Sequence, residues 1–395
     1  MINNPAVNTL LQSIVKAIEI PRSYYEKAVA RHRSLGEWLC RPESTVAAFA
    51  PDVVPQGSFR YGTVVRPLLA THKYDLDNVT TLQVAKTQMS QKELKTLYGA
   101  EIKAYAIAHK MTDPVEERNR CWRLFYADEF SFHLDALPCV PEDQQVVDAI
   151  VESGVPARLA RLAVAITDKR HPQYEQISAA LFSSNPRGFA TWFEECARSW
   201  ALPRLRGLVK SNLYASVEDV PTYEFKTPLQ QAIQILKRHR DVMFRTSLTV
   251  APISMIITNL AAHAYTGESD LYTALTNVVE KMPQFVRPER PRVPNPANPA
   301  EDYANRWSLD PRLERYFWQW HTEVRADLKR IPAFITGETL LEDVERTFGV
   351  TLSEEEMRPF AVDRAQRAPA IVRAPAVVIP ASTPRPWGHG DRKQF

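Results

Sequence analysis

Asp75 and Asp77 stand two residues apart in YDLDNVTTLQV, a run otherwise rich in strand formers. Side chains at i and i+2 of a strand point to the same side, so the two carboxylates face together. Like charges placed this way repel, and something has to offset that repulsion. A divalent cation would: Mg2+ prefers hard oxygen ligands and often takes one or two carboxylates plus substrate phosphates. In two-metal sites the ions lie roughly 3.5–4 Å apart, and an acid pair of this spacing suits them. The plain alternative is a solvated strand end carrying two harmless acids.

Two further elements bear on that choice. Gln56-Gly57-Ser58 precedes the acids, with Ser58 lying 17 positions before Asp75 (75 − 58). Glycine permits close backbone approach to a ligand, and a serine at the start of a helix offers a hydroxyl and backbone N–H groups to a phosphate. The interval leaves room for a short helix and a turn. The later run FSFHLDALP alternates: Phe130, Phe132 and Leu134 share one face, and Ser131, His133 and Asp135 share the other. An acid inside such an apolar strand is costly unless paired or metal-bound, so Asp135 is a candidate third metal ligand and general base. His133 is read as structural.

The elements that must position these residues can be traced along the chain. Helical spacing covers Asn8 to Cys40, with Pro21 starting a second helix. Strand-like runs follow at VVRPLL, YDLDNVTTLQV and FSFHLDALPCV, with a helix from Gln91 opened by a Ser90/Glu93 capping box between the last two. From about Ser184 the pattern is mostly helical. This predicts an α+β front half with a small mixed sheet and a helical back half, with the ligand site in the cleft between them. The expected divisions are residues 1–183 with the N-terminal helices, a helical lobe over 184–360, and a flexible Ala/Pro/Arg-rich tail over 361–395.

Bulk properties narrow the class. The chain has 395 residues, 45% hydrophobic and 24% charged, with a net charge of +3. That is ordinary for a globular protein and argues against an extended nucleic-acid groove. Cys40, Cys121, Cys139 and Cys196 form no CxxC pair, so a zinc site is not expected. No signal pattern or spanning apolar run is visible, and the expectation is a cytoplasmic protein without membrane contact.

The Gly-Ser turn, the DxD strand and the later acid together resemble the polymerase-β-type nucleotidyltransferases. QGSFRYGTVVRP followed by YDLD is similar to the cGAS/DncV-like nucleotidyltransferases (CD-NTases), which include bacterial anti-phage signalling (CBASS) enzymes. AITDKRHPQYEQI, SSNPRGFATWFEE, KTPLQQAIQILKRHRDVMF, APISMIITNLAAHAY and PNPANPAEDYANRW resemble further stretches of that family, the helical ones shared with the oligoadenylate synthetases. The likeness covers about residues 5 to 345.

The resemblance implies a cyclic di- or trinucleotide synthase that joins NTPs, ATP among them, with release of pyrophosphate. It implies two Mg2+ ions, with Mn2+ able to substitute, held by Asp75, Asp77 and Asp135. Gln56, Gly57 and Ser58 would bind phosphates. Lys237 and Arg240, at i and i+3 of one helix, would share a face that either clamps the triphosphate or is a solvated basic surface. Ser184 and Asn185 would reach a base or ribose, or cap the following helix. Tyr61 stacks on a base or belongs to the core, FWQWH (317–321) reads as core, and Asp241 pairs with a neighbouring arginine. The product would reach a downstream effector, and the tail could meet a regulatory or conjugating partner, although the terminal Phe395 departs from the small residue usual in conjugated relatives. The alternatives are transfer of a nucleotide to RNA, protein or a small molecule, and a non-catalytic nucleotide-binding module.

Overall fold

The computed structural model describes residues 4–69, 73–126, 132–198, 218, 220–221, 225–337 and 339–367. Two helices open the chain: α1 (Pro5–Ile18), capped by the Asn4 side chain, and α2 (Arg22–Cys40), which begins just after Pro21. Strand β1 (Asp52–Gln56) runs straight into the five-residue helix α3 (Gly57–Tyr61). Strand β2 (Tyr74–Thr81) carries the DxD pair. Helix α4 (Gln91–Ala108) starts at the expected capping box, in which the Glu93 N–H donates to Ser90 Oγ (3.2 Å) and the Ser90 N–H to Glu93 Oε2 (2.8 Å).

The short β3 (Glu116–Glu117) and β4 (Trp122–Tyr126) precede the long β5 (Phe132–Pro141). Helices α5 (Gln144–Glu152) and α6 (Ala157–Ala160) and strands β6 (Val164–Ile166) and β7 (Phe182–Ser184) complete the front half. The sheet has the order β1-β2-β5-β4-β3, with β6 joined to the end of β5 and β7 to β6; β2 and β5 pair in parallel, the other strands antiparallel. Its apolar face buries Leu76, Phe132 and Leu134 against Tyr98 and Ile102 of α4 and Leu35 of α2. Odd-numbered positions of β2 and β5 point to the opposite face, which therefore carries the acids.

The back half comprises α7 (Pro186–Arg198), α8 (Pro228–Met243), α9 (Ser254–Ala264) and α10 (Leu271–Lys281), a two-strand ribbon of β8 (Pro294–Asn295) and β9 (Asn298–Asp302), then α11 (Pro311–Thr336), α12 (Leu340–Phe348) and α13 (Glu354–Arg367). Its core joins Phe189, Phe193, Ile233, Leu236, Ile257 and Leu275, and Phe317 and Trp320 of the FWQWH run are fully buried there, as expected.

Three features depart from the sequence expectations. VVRPLL (64–69) forms no strand. Helix α1, expected with the sheet lobe, buries Leu10, Leu11 and Ile14 in the helical core, because its apolar stripe meets α8 and α10 rather than the sheet. The region expected as tail begins with helix: α13 runs to Arg367. Residues 368–395, where a partner was expected to act, lie outside the described residues. All four cysteines are free, and among the described residues no helix is long and apolar enough to cross a membrane.

Candidate active site

The acids come together through strand register. In the parallel β2–β5 pair, Asp75 sits opposite His133 and Asp77 opposite Asp135. On the other side of β2, Gln56 of β1 is opposite Asp77. On the other side of β5, Arg123 of β4 is opposite Asp135. Gln56, Asp77, Asp135 and Arg123 thus form one row across four strands. Gln56, Asp77 and Asp135 of this row floor a cavity of about 730 Å3 between the two halves, with Gly57, Ser58, Lys237 and Arg240 also on its wall, and Arg123 backs Asp135 from outside the lining.

Gly57 is required by both conformation and space. Its φ is +70°, in the left-handed region, and a Cβ there would lie 2.2 Å from Asp77 Oδ2. The Gly-Ser turn is therefore packed directly on the second acid. Burial pushes the Asp77 carboxyl up to about 7, and Asp135 and Asp75 push in the same direction, against Arg123 and Lys237. Asp75 by contrast is open to solvent, its side chain 62% exposed, with His133 Nδ1 3.6 Å from its Oδ1. His133 also packs edge-on against Phe125.

The cation side is built by α8. Gln230, Gln234 and Lys237 lie on one face of this helix and donate to the carbonyls of Tyr61 (2.9 Å), Val64 (2.7 Å) and Thr63 (2.8 Å). The Val64 contact, with Arg238 Nη2 on the Arg66 carbonyl (2.6 Å), takes up backbone of the run that was expected to be a strand, and the other two hold the turn before it. Lys237 is 5% exposed. Burial, and next the charge of Arg240, push its ammonium down to about 7. Arg240 lines the cavity but is largely committed, to Asp241 (2.8 and 2.5 Å), the Pro252 carbonyl (3.1 Å) and Ser254 Oγ (2.8 Å). The expected pairing of Asp241 is thereby met.

Ser184 lines the cavity and donates to Glu301 Oε1 (2.8 Å). Asn185 does not line it. Its Nδ2 donates to the carbonyls of Leu159 and Ala297 (both 2.8 Å), and its Oδ1 accepts from the Gly188 N–H (2.9 Å), the capping role. Tyr61 borders the cavity from the core, edge-on to Phe189.

The donor chemistry suits a hard divalent cation: three carboxylates on one face, with Asp77 half-buried and pushed upward by that burial and then by the other two. Among the described residues, however, no three acids, histidines or cysteines stand close enough together to hold a metal ion as they are placed. Both oxygens of Asp135 are held by Arg123, Nε to Oδ1 at 2.6 Å and Nη2 to Oδ2 at 2.7 Å.

Residues 51–138, which contain the Gly-Ser turn and all three acids, match the family described as the nucleotidyltransferase domain of DncV-like cyclic GMP-AMP synthase. The chain carries a DncV-like nucleotidyltransferase domain. It is 26% identical over 314 residues to the c-di-GMP synthase of Roseivirga ehrenbergii, covering 78% of this chain and 74% of that one. It is 24% identical over 359 residues to the cyclic dinucleotide synthase CdnG of Bradyrhizobium diazoefficiens, covering 86% and 78%. The solved structure of that CdnG, a CD-NTase in complex with GTP, superposes with a TM-score of 0.63 at 19% identity, over 91% of this chain and 98% of that one.

Three residues at or behind this cavity escaped the sequence reading. Arg123, behind Asp135, is found only once the hairpin register is known. Cys121, on the wall, has its thiol pushed up to about 12 by burial and then by Asp135. Glu301 on β9 accepts from Ser184 Oγ, the Asn185 N–H (3.3 Å) and Asn295 Nδ2 (2.7 Å), and burial raises its carboxyl. Its signal was an acid inside the already noted PNPANPAEDYANRW stretch.

Proposed function

We propose that this nucleotidyltransferase joins nucleoside triphosphates into a cyclic dinucleotide, with GTP as a substrate, as a second messenger in anti-phage signalling. The observation that carries this is the Gly57-Ser58 turn seated on Asp77, with Asp135 beside Asp77 in register and Lys237 on the facing wall. The guanosine preference is supported by the two curated relatives, one named for c-di-GMP and the other solved with GTP.

The donor triphosphate lies between Ser58 and Lys237, and its γ-phosphate end meets the Lys237 ammonium. Asp75, Asp77 and Asp135 would hold Mg2+, which when bound neutralises phosphate charge and acidifies an acceptor ribose hydroxyl. Asp135 accepts the hydroxyl proton. The oxygen attacks the α-phosphorus in line, the bond to the β-phosphate oxygen breaks, and pyrophosphate leaves. The linear product binds again for the second ester. The chain contributes chiefly positioning and charge.

The test is mass spectrometry of the product made from a four-NTP mixture, with and without phosphatase. A phosphatase-resistant cyclic dinucleotide containing guanosine is expected. Turnover that appears only when RNA, protein or a small-molecule acceptor is added would replace this reading.

Lys237 gives an independent check on substrate placement. Because its folded pKa lies below 10.5, the unfolded chain keeps a proton between about pH 7 and 10.5 that the folded protein has released. Its contribution to stability therefore rises with pH across that window. A triphosphate beside Lys237 restores the ammonium. Nucleotide binding at pH 8 is expected to take up a proton, giving calorimetric heats that differ between buffers of unlike ionisation enthalpy. Lys237→Met should remove most of that difference.

A further inference from the structure

We propose that Arg123 is a resident counter-cation of the acid cluster, holding Asp135 until a divalent ion takes it, so that metal binding is an exchange rather than an addition. The inference rests on the reading of Asp75, Asp77 and Asp135 as the metal-binding acids.

Three observations carry it. Arg123 is placed by register rather than by chance of rotamer: β4 and β5 are antiparallel and pair Arg123 with Asp135 directly. The contact is a two-bond fork at 2.6 and 2.7 Å that uses both oxygens of Asp135, and the same guanidinium lies 3.9 Å from Asp75 Oδ1. The pair is neither buried nor fully solvated, with side chains 22% and 19% exposed, so it holds firmly yet stays within reach of an ion entering the cavity. The arginine thus spans two of the three acids that would hold a metal ion.

A carboxylate whose two oxygens are committed to a planar fork cannot also ligate a cation with its preferred lone pairs. An ion that takes those lone pairs of Asp135 must break at least one N–H···O bond. Exchange also discriminates by charge. Na+ or K+ replacing the guanidinium brings the same single charge and gains nothing, whereas a divalent ion leaves the three carboxylates better compensated. Arg123 therefore keeps the metal-free cluster tolerable, weakens metal binding to it and favours divalent over monovalent ions.

Mn2+ titration of the nucleotide-free protein, followed by the EPR signal of free Mn2+, tests this without turnover. Arg123→Gln is expected to bind Mn2+ about tenfold more tightly than the wild type, the scale of one lost charge-assisted hydrogen bond. Arg123→Lys, which keeps the charge but cannot fork, should fall between the two and serves if the glutamine variant does not fold. The Mg2+-induced rise in Tm should likewise be larger in both variants. Unchanged or weaker Mn2+ binding in both variants, with binding still lost in Asp77→Asn and Asp135→Asn, overturns this inference alone. Mn2+ binding indifferent to Asp77→Asn and Asp135→Asn overturns the metal-site reading as well.

Discussion

Asp77→Asn is expected to abolish nucleotide joining, by about a thousandfold or more, while raising the melting temperature of the metal-free protein. The first effect follows from the loss of a ligand charge where phosphate charge must be neutralised, a contribution of several kcal/mol at roughly 1.4 kcal/mol per tenfold. The second comes from the cluster itself. The Asp77 carboxyl moves from 3.8 up to about 7 in the folded protein. Between those values the folded chain holds a proton that the unfolded chain has released, so this group's contribution to stability falls as pH rises and the deficit is complete above about 7. Asparagine keeps the shape and carries no charge. Melting curves in chelator should show the variant several degrees above the wild type at pH 8, the gap narrowing as pH drops toward 4. A variant less stable than the wild type at pH 8 would mean that the cluster is not strained by its own charge.

Gly57→Ala should cost both stability and activity, for separable reasons. Holding a residue with a Cβ at φ +70° costs about 1–2 kcal/mol. The methyl group would also sit 2.2 Å from Asp77 Oδ2, so the turn or the carboxylate must move. A shift of about 1 Å at a reacting centre can cost about 100-fold in rate. Gly154→Ala is the control: its φ is +95°, but a Cβ there meets nothing within 4 Å. The control should lose some Tm and keep its kinetics. Gly57→Ala should lose Tm and about 100-fold in kcat, measured as pyrophosphate release. Equal activity in the two variants would show that Asp77 tolerates displacement.

Much of this site was legible because it is written in parity. Alternation fixes which residues of YDLDN and FHLDA face together, and an acid between buried apolar neighbours stands out in any strand. The parallel register that sets Asp77 beside Asp135 is a long-range fact that no local pattern carries. Arg123 was hidden for the same reason, since only the hairpin defines its partner. The failure at VVRPLL has a different cause. The run has strand-forming residues, but Gly62 ends α3 in a left-handed turn, and the carbonyls beyond it are satisfied by side chains from α8. A propensity scale cannot see that the hydrogen bonds of a segment go to a helix about 170 residues away. Lys237 was ambiguous for a related reason: a basic helical face looks the same whether water or a cavity lies before it.

The pairing of β2 with β5 also dictates when the acid cluster comes into being. Asp77 and Asp135 are 58 residues apart (135 − 77) and meet only across a parallel crossover that encloses α4 and β4. Such contacts form late, because the chain must close a long loop before they repay its entropy. A partly folded chain has no three-carboxylate cluster to offer an ion. A cation bound there can slow unfolding, but it cannot recruit the chain to fold. On the proposed reading, the ion would be a tenant of the finished structure and not one of its builders.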